Sequence, residues 1–217
     1  YTPYISFSLD RERKSGFLSP TFGTTGNSGS EFSIPYYWNI APNMDATITP
    51  RAMSKRGVQL RNEFRYLDPL YRGEIRYEIL PNDRVKNGET RSALSLVHSQ
   101  TFAYGWVGAL NIQKASDDTY FTDLSTQISA TSQVLLPRTG SLAKGGALGS
   151  DGRWVVSSSS QRWQTLQTDP SNPGGAPDGP GQVSLNGAKP RVAVAEWEGT
   201  VNGAEATNPT WNNGTAP

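Results

Sequence analysis

His98 is the only histidine among 217 residues, and cysteine is absent. A three-histidine metal site is therefore excluded, as are thiolate ligands, and any Ser-His-Asp relay would have to run through this one imidazole. Its neighbours Ser95 and Ser99 belong to a Ser-rich stretch, so their proximity to it reads as ordinary strand composition. Glu196 and Glu198 would share one face of a strand, as would Glu74 and Glu78 with Arg76 between them. A carboxylate pair of that kind could serve glycoside hydrolysis, but the same spacing describes a solvated row of charges, which is the reading taken. No phosphate loop, dinucleotide fingerprint or EF-hand spacing occurs. The residues thus assign no catalytic group, no metal and no cofactor. A formal net charge of +1 gives no electrostatic case for nucleic acid.

Charged residues of a different kind stand out in the middle of the chain. Arg61, Glu63 and Arg65 alternate with apolar residues, and so do Glu74, Arg76 and Glu78. If the two segments pair as neighbouring strands, opposite charges face one another on a wet side, where they hold a wall together or meet a partner protein. Arg11, Arg13 and Lys14 form a basic turn near the start. They could anchor the chain at an interface or guide phosphorylated lipid, since basic side chains pair well with phosphate oxygens.

The elements carrying these residues are strands. In residues 31–40, Phe32, Ile34, Tyr36, Trp38 and Ile40 are apolar, while Glu31, Ser33, Pro35 and Asn39 are mostly not. After Ala41-Pro42-Asn43 the alternation resumes with Met44, Ala46 and Ile48 against Asp45, Thr47 and Thr49. A period of two over such lengths predicts two long strands, each with one apolar face. Further strands are predicted at 16–24, 57–67, 74–80, 90–102, 104–114, 127–136 and 153–166, with weaker ones near Val183 and over 192–201. Turn signals such as Lys55-Arg56-Gly57, Asp68-Pro69, Asn87-Gly88 and Asp117-Asp118 fall between them. The total is about ten or eleven strands. Residues 170–181 (PSNPGGAPDGPG) form a low-complexity connection with no means of packing a core.

The fold class is all-β. Alternation fits a soluble sandwich as well as a membrane barrel, because both bury one face. Length favours the barrel: several segments reach the roughly 9 to 11 residues that cross a bilayer, beyond the roughly 5 to 6 usual in soluble sheets. Aromatic clusters at 36–38, 66 with 71, 104 with 106, and 120–121 are the kind an interfacial girdle produces. No apolar run approaches a membrane helix of roughly 20 residues. Three prolines, Pro20, Pro35 and Pro50, follow one another at intervals of 15 residues. Pro20 and Pro35 fall in predicted strands, where neither can donate to a ladder, and Pro50 reads as a strand end. At the start of a barrel, such interruptions weaken the strands that must close it.

The wording of the chain resembles the barrel domain of the LptD family of outer-membrane lipopolysaccharide assembly proteins. The resemblance runs through RKSGFLSP at 13–20, PYYWNIAPNMDATITP at 35–50, SKRG at 54–57, EFRYL at 63–67, LPND at 80–83, SDDTYFTDL at 116–124 and QTLQ at 164–167. It implies the N-terminal part of a large antiparallel barrel of about 26 strands, at the upper end of common sizes. It places residues 1–10 at the end of a periplasmic jellyroll-like segment and 11–217 in the barrel, with both chain ends read as cuts. Pro20 and Pro35 match the two prolines of a lateral gate, and Arg11, Arg13 and Lys14 stand where lipid passes from jellyroll to barrel. Lipopolysaccharide would be cargo, LptE the plug lipoprotein inside the barrel and LptA the periplasmic bridge, at the cell outer membrane. A porin-like channel and a soluble sandwich binding module are the alternatives.

Overall fold

A computed structural model describes residues 13–125, 135–148, 152–166 and 182–188. Twelve strand segments join in one antiparallel sheet: β1 (Gly16–Phe17), β2 (Thr21–Thr25), β3 (Gly29–Ser33), β4 (Tyr36–Ala41), β5 (Met44–Met53), β6 (Gly57–Leu67), β7 (Tyr71–Asp83), β8 (Glu89–Thr101), β9 (Val107–Ala115), β10 (Leu135–Leu148), β11 (Gly152–Thr165) and β12 (Gln182–Ala188). A single short helix, α1 (Tyr120–Leu124), lies between β9 and β10 among the described residues. Consecutive strands are neighbours from β4 to β12, a meander of hairpins.

The first two strands are each broken in two. β3 and β4 both pair with β5 in one continuous register, so they are halves of one strand interrupted at Ile34-Pro35. β1 pairs with β4 and β2 with β3, so they form a second strand interrupted at 18–20. Leu18 donates to the Pro35 carbonyl at 2.8 Å, and Thr21 pairs with Ser33. Two residues, Ser19 and Pro20, therefore oppose the single residue Ile34, which makes a β-bulge.

Alternation assigns the two faces. Along one run Phe17, Phe22, Phe32, Trp38, Ile40, Val58, Leu60 and Tyr77, all exposed. Along the other run Ser33, Asp45, Thr49, Arg51 and Gln59, all buried although polar. Around these residues the pattern inverts a soluble sheet: the apolar face is open and the polar face is covered.

The strands run where the alternation predicts, with four corrections. The segment expected at 31–40 is split by Pro35. Pro50 lies within β5, paired with Leu60, and does not end the strand. The segment predicted at 127–136 meets β10 only at 135–136, and β10 runs on to 148 where no strand was expected. Its glycines (Gly140, Gly145, Gly146) and isolated Lys144 blur the alternation, while 126–134 fall outside the described residues, as do 1–12 and the weak strand at 192–201. Finally, Tyr120 does not belong to an interfacial girdle. It sits in α1 with 1% exposure, among Met53, Leu80, Ala93, Ala115, Leu124, Leu136 and Leu166.

Candidate functional site

The polar face carries a charge row set by strand register. Arg61 pairs with Glu78, Glu63 with Arg76 and Arg65 with Glu74 across β6 and β7. Arg76 bonds Glu74 at 2.7 Å and Glu63 at 3.2 Å. Arg65 forks onto Asp45, Nε to Oδ1 at 2.8 Å and Nη2 to Oδ2 at 2.9 Å. Arg65 and Arg76 have anions beside them, while Arg61 faces Glu78 by register without an ion pair among the described residues. The water-exposed pairs of Arg76 contribute little each, about 0–1 kcal/mol, whereas Asp45 is buried. Their effect is to keep the face polar and its charges alternating.

Above this face, the segment 116–125 is fastened down by buried ions. Arg91 has a side chain only 2% exposed and reaches three carboxylates: Asp83 at 3.0 Å, Asp117 at 2.6 Å and Asp123 at 2.9 Å. Arg56 holds Asp83 from the other side at 2.6 Å and donates to the Asn27 carbonyl at 3.0 Å. Arg51 donates to the Leu124 carbonyl at 2.7 Å and binds Glu31 of β3 at 2.7 Å. Tyr120 donates to Glu78 at 3.0 Å and accepts from Gln59 at 3.1 Å, with the Arg91 guanidinium over its ring. Guanidinium suits this work because its donors form a planar fork that several carboxylates can share. Burial works to raise the Asp117 carboxyl, but hydrogen bonds from Arg91, Ser116 and Thr119 outweigh it and hold that group below the usual carboxylate range. Burial pushes the Tyr120 phenol up, and the charge of Glu78 adds to the effect.

Between this inserted segment and the sheet lies an open cavity of about 680 Å³. Its wall combines charged residues (Arg61, Glu63, Arg76, Glu78) with Phe121 and Leu124 of the inserted segment, and it reaches Leu18 and Pro35 at the break in the first strands. The broken strands, the charge row and the inserted segment thus share one space. Backbone geometry explains the break. The Pro35 carbonyl accepts from Leu18, so its ring nitrogen points the same way and offers the Leu18 carbonyl nothing. Pro50 does the same one strand further in: its carbonyl accepts from Ile34 at 3.3 Å, and no donor returns to Ile34.

The expected site residues fall into three groups. Arg61, Glu63, Arg65, Glu74, Arg76 and Glu78 all take the polar face, in the pairing expected of adjacent strands. Pro20 and Pro35 sit at the two breaks. Arg13 is bound to Asp45 at 2.9 Å and to the Pro42 carbonyl at 3.3 Å, which ties the chain entry to the β4–β5 turn. Arg11 lies outside the described residues, and Lys14 is exposed. His98 faces the apolar side, its Nδ1 2.6 Å from the Tyr66 hydroxyl, while the Tyr66 ring lies over Gly73. The sequence reading missed Arg51, Arg56, Asp83, Arg91, Asp117 and Asp123. Their one signal was the carboxylate-rich SDDTYFTDL, read as a turn at Asp117-Asp118, an aromatic cluster at 120–121 and a motif of the family resemblance.

Two family models match the chain. One, described as LPS transport system D, covers residues 89–215, and the other, described as LptD protein, covers residues 1–134. Among curated relatives, the LPS-assembly protein LptD of Nitrosomonas eutropha is 49% identical over 173 residues, spanning 80% of this chain and 24% of the relative. That of Azoarcus sp. strain BH72 is 47% identical over 173 residues, 80% of this chain and 21% of the relative. That of Chromobacterium violaceum is 48% identical over 171 residues, 78% and 21%. The chain thus spans less than a quarter of the length of these relatives.

Proposed function

This chain belongs to the LptD family, and from that premise we propose that it is part of a barrel wall that delivers lipopolysaccharide to the outer leaflet of the outer membrane. The exposed apolar face would meet lipid and the covered polar face would line the lumen. Only a closed barrel lets strands cross hydrocarbon without leaving backbone groups unpaired. The longest separations between consecutive strands, β9 to β10 and β11 to β12, fall at one end of the wall, together with the short connections at 26–28, 54–56 and 84–88, while the short connections at 42–43, 68–70 and 102–106 share the other. In outer-membrane barrels the long loops face outward and the short turns face the periplasm.

The observation that carries the reading is the pair of successive proline breaks in the first two strands, Pro20 and Pro35, opening onto a mixed charged and apolar cavity. The first strand of a barrel must close against the last. A first strand with missing donors closes weakly, and lipid leaves sideways where closure is weak. This lateral gate distinguishes the reading from a porin-like channel, which needs a continuously bonded wall. The charge row would meet the plug protein LptE inside the lumen. Residues 1–10, with Arg11, Arg13 and Lys14, would stand where a jellyroll domain, fed by LptA, passes phosphorylated lipid to the barrel. Arg13 would have to exchange Asp45 for phosphate to take part.

The test is the double substitution Pro20→Thr and Pro35→Thr in the full-length protein. Each restored donor is worth roughly 0.5 to 1.5 kcal/mol net. Together they favour the closed state by roughly five- to a hundredfold if neither bond survives opening. Surface lipopolysaccharide, measured at matched barrel abundance, should fall. Unchanged export with an intact barrier to large antibiotics would remove the gate and leave the prolines as edge residues.

A further inference from the structure

Register puts Lys114, Arg138, Lys144 and Arg162 on the apolar side, and of these only Lys144 lies over aromatic rings. Register places Lys144 of β10 opposite Val156, Leu142 opposite Gly108 and Gly146 opposite Trp154, all on the apolar side. The Lys144 ammonium lies between two indoles, 5.8 Å from the ring centre of Trp106 and 5.8 Å from that of Trp154. Trp154 can lie there because Gly146 has no side chain: a β-carbon would meet its ring nitrogen at 2.7 Å. Gly108 likewise leaves room for the Phe102 ring, where a β-carbon would meet an edge carbon at 2.8 Å. Among the described residues Lys144 has no carboxylate partner, and neither indole N–H has an acceptor. The Lys144 ammonium therefore stands on an apolar surface, at the level of the short turn 102–106, with no carboxylate to pair with.

We propose that Lys144, Trp106 and Trp154 form a binding site for the phosphate headgroup of a glycerophospholipid in the leaflet at the short-turn end, an inference that rests on the membrane-barrel reading above. An ammonium without a carboxylate selects an anion, and its three N–H bonds suit an acceptor with several oxygens. The apolar surroundings, Leu142, Val156 and Phe102, suit acyl chains below the headgroup. Indole faces on both sides hold the ammonium in place before the lipid arrives, so little side-chain entropy remains to be lost on binding. A lysine that merely extends toward water carries its head away from apolar surface, whereas the Lys144 ammonium stands between two indole faces.

The experiment uses the full-length protein in detergent, titrated with phosphatidylglycerol or with an uncharged galactosyl diacylglycerol of the same acyl chains. Retained lipid is counted by native mass spectrometry. Wild type should prefer the phospholipid for its tightest adduct. Lys144→Gln should weaken that adduct roughly ten- to a hundredfold and abolish the preference, and Lys144→Arg should keep it. Heat-dependent gel migration checks that each variant is a folded barrel. Should Lys144→Gln fail that check, Trp106→Leu takes its place with the same expectation. Equal retention of the two lipids by wild type, or undiminished phospholipid retention by a folded variant, overturns the site while leaving the barrel intact. Wild-type protein recovered in the aqueous fraction overturns the membrane reading instead.

Discussion

Ile34 and Pro50 face each other across adjacent strands, and only one of their two backbone bonds exists: the Ile34 amide donates to the Pro50 carbonyl at 3.3 Å. Replacing Pro50 with Val supplies the missing donor, worth roughly 0.5 to 1.5 kcal/mol. The freed backbone costs roughly 0.4 to 1 kcal/mol through the unfolded chain. The two nearly cancel, so the unfolding midpoint of the full-length protein should hardly move. The amide created at position 50 should nonetheless be strongly protected from hydrogen exchange. Rapid exchange there would mean that β3–β4 and β5 part at this point even with both donors in place.

Arg91 should be among the costliest side chains to remove. Arg91→Met leaves Asp83, which is fully buried, with Arg56 as its one remaining arginine. Breaking a buried pair in this way costs about 3 to 5 kcal/mol. Arg76→Met, on the water-exposed charge row, should cost about 1 kcal/mol or less. Urea unfolding followed by gel migration separates the two. Equal losses would show that the inserted segment is not fastened by its ions.

The anchorage of the 116–125 segment should weaken in acid. The Asp117 carboxyl titrates lower in the folded protein than in the unfolded chain, because the Arg91, Ser116 and Thr119 hydrogen bonds outweigh burial. The folded state therefore binds the proton less readily, and the stabilisation is present above the ordinary carboxylate value, about 3.9. It is lost as pH falls through the lower folded value. Acid-active protease should begin to cut this segment in that window. Asp117→Asn should be cut more readily at neutral pH, with a flatter pH profile.

The two faces should respond oppositely to a charge. Ile48 lies on the apolar face and Thr47 on the cavity side. Ile48→Arg should cost roughly 2 to 4 kcal/mol if it lies near the bilayer midplane, whereas Thr47→Arg should be mild. Assembly yield of the full-length protein measures both. Equal damage would mean that the apolar face does not meet lipid.

The strands from β3 to β9 were legible because alternation is a local property: each strand writes its own two faces into the sequence. Register between strands followed where charge made it specific, as with Glu63 and Arg76. The inserted segment was not legible. Arg51 of β5, Arg56 of the β5–β6 turn and Arg91 of β8 meet Leu124, Asp123 and Asp117 only after the wall has formed, and nothing local marks an arginine that will be buried. Tyr120 misled for a related reason. A tyrosine beside a turn is consistent with an interfacial belt, and only the position of Gln59 and Glu78 shows that its hydroxyl is wanted inside. Most of β10 went unread because Gly140, Gly145, Gly146 and Lys144 interrupt its apolar alternation, while Leu110 covers Gly140 and the Trp154 ring covers Gly146.

Pro20, Pro35 and Pro50 lie at a single level of the wall, since Ser19 and Pro20 oppose Ile34 and Ile34 pairs with Pro50. Lost bonds stacked along one strand boundary make a zip. Lost bonds side by side on successive strands make a crease, running across the strand direction. On one side of it the cloth is stitched by Glu31 to Arg51 and Ser54 to Ser30, and on the other by Tyr37 and Arg65 to Asp45. Were the wall to open there as proposed, its margin would buckle at mid-height while both rims stayed fastened, so the aperture would begin as a slot in the middle of the wall and close again without any strand having to be threaded back.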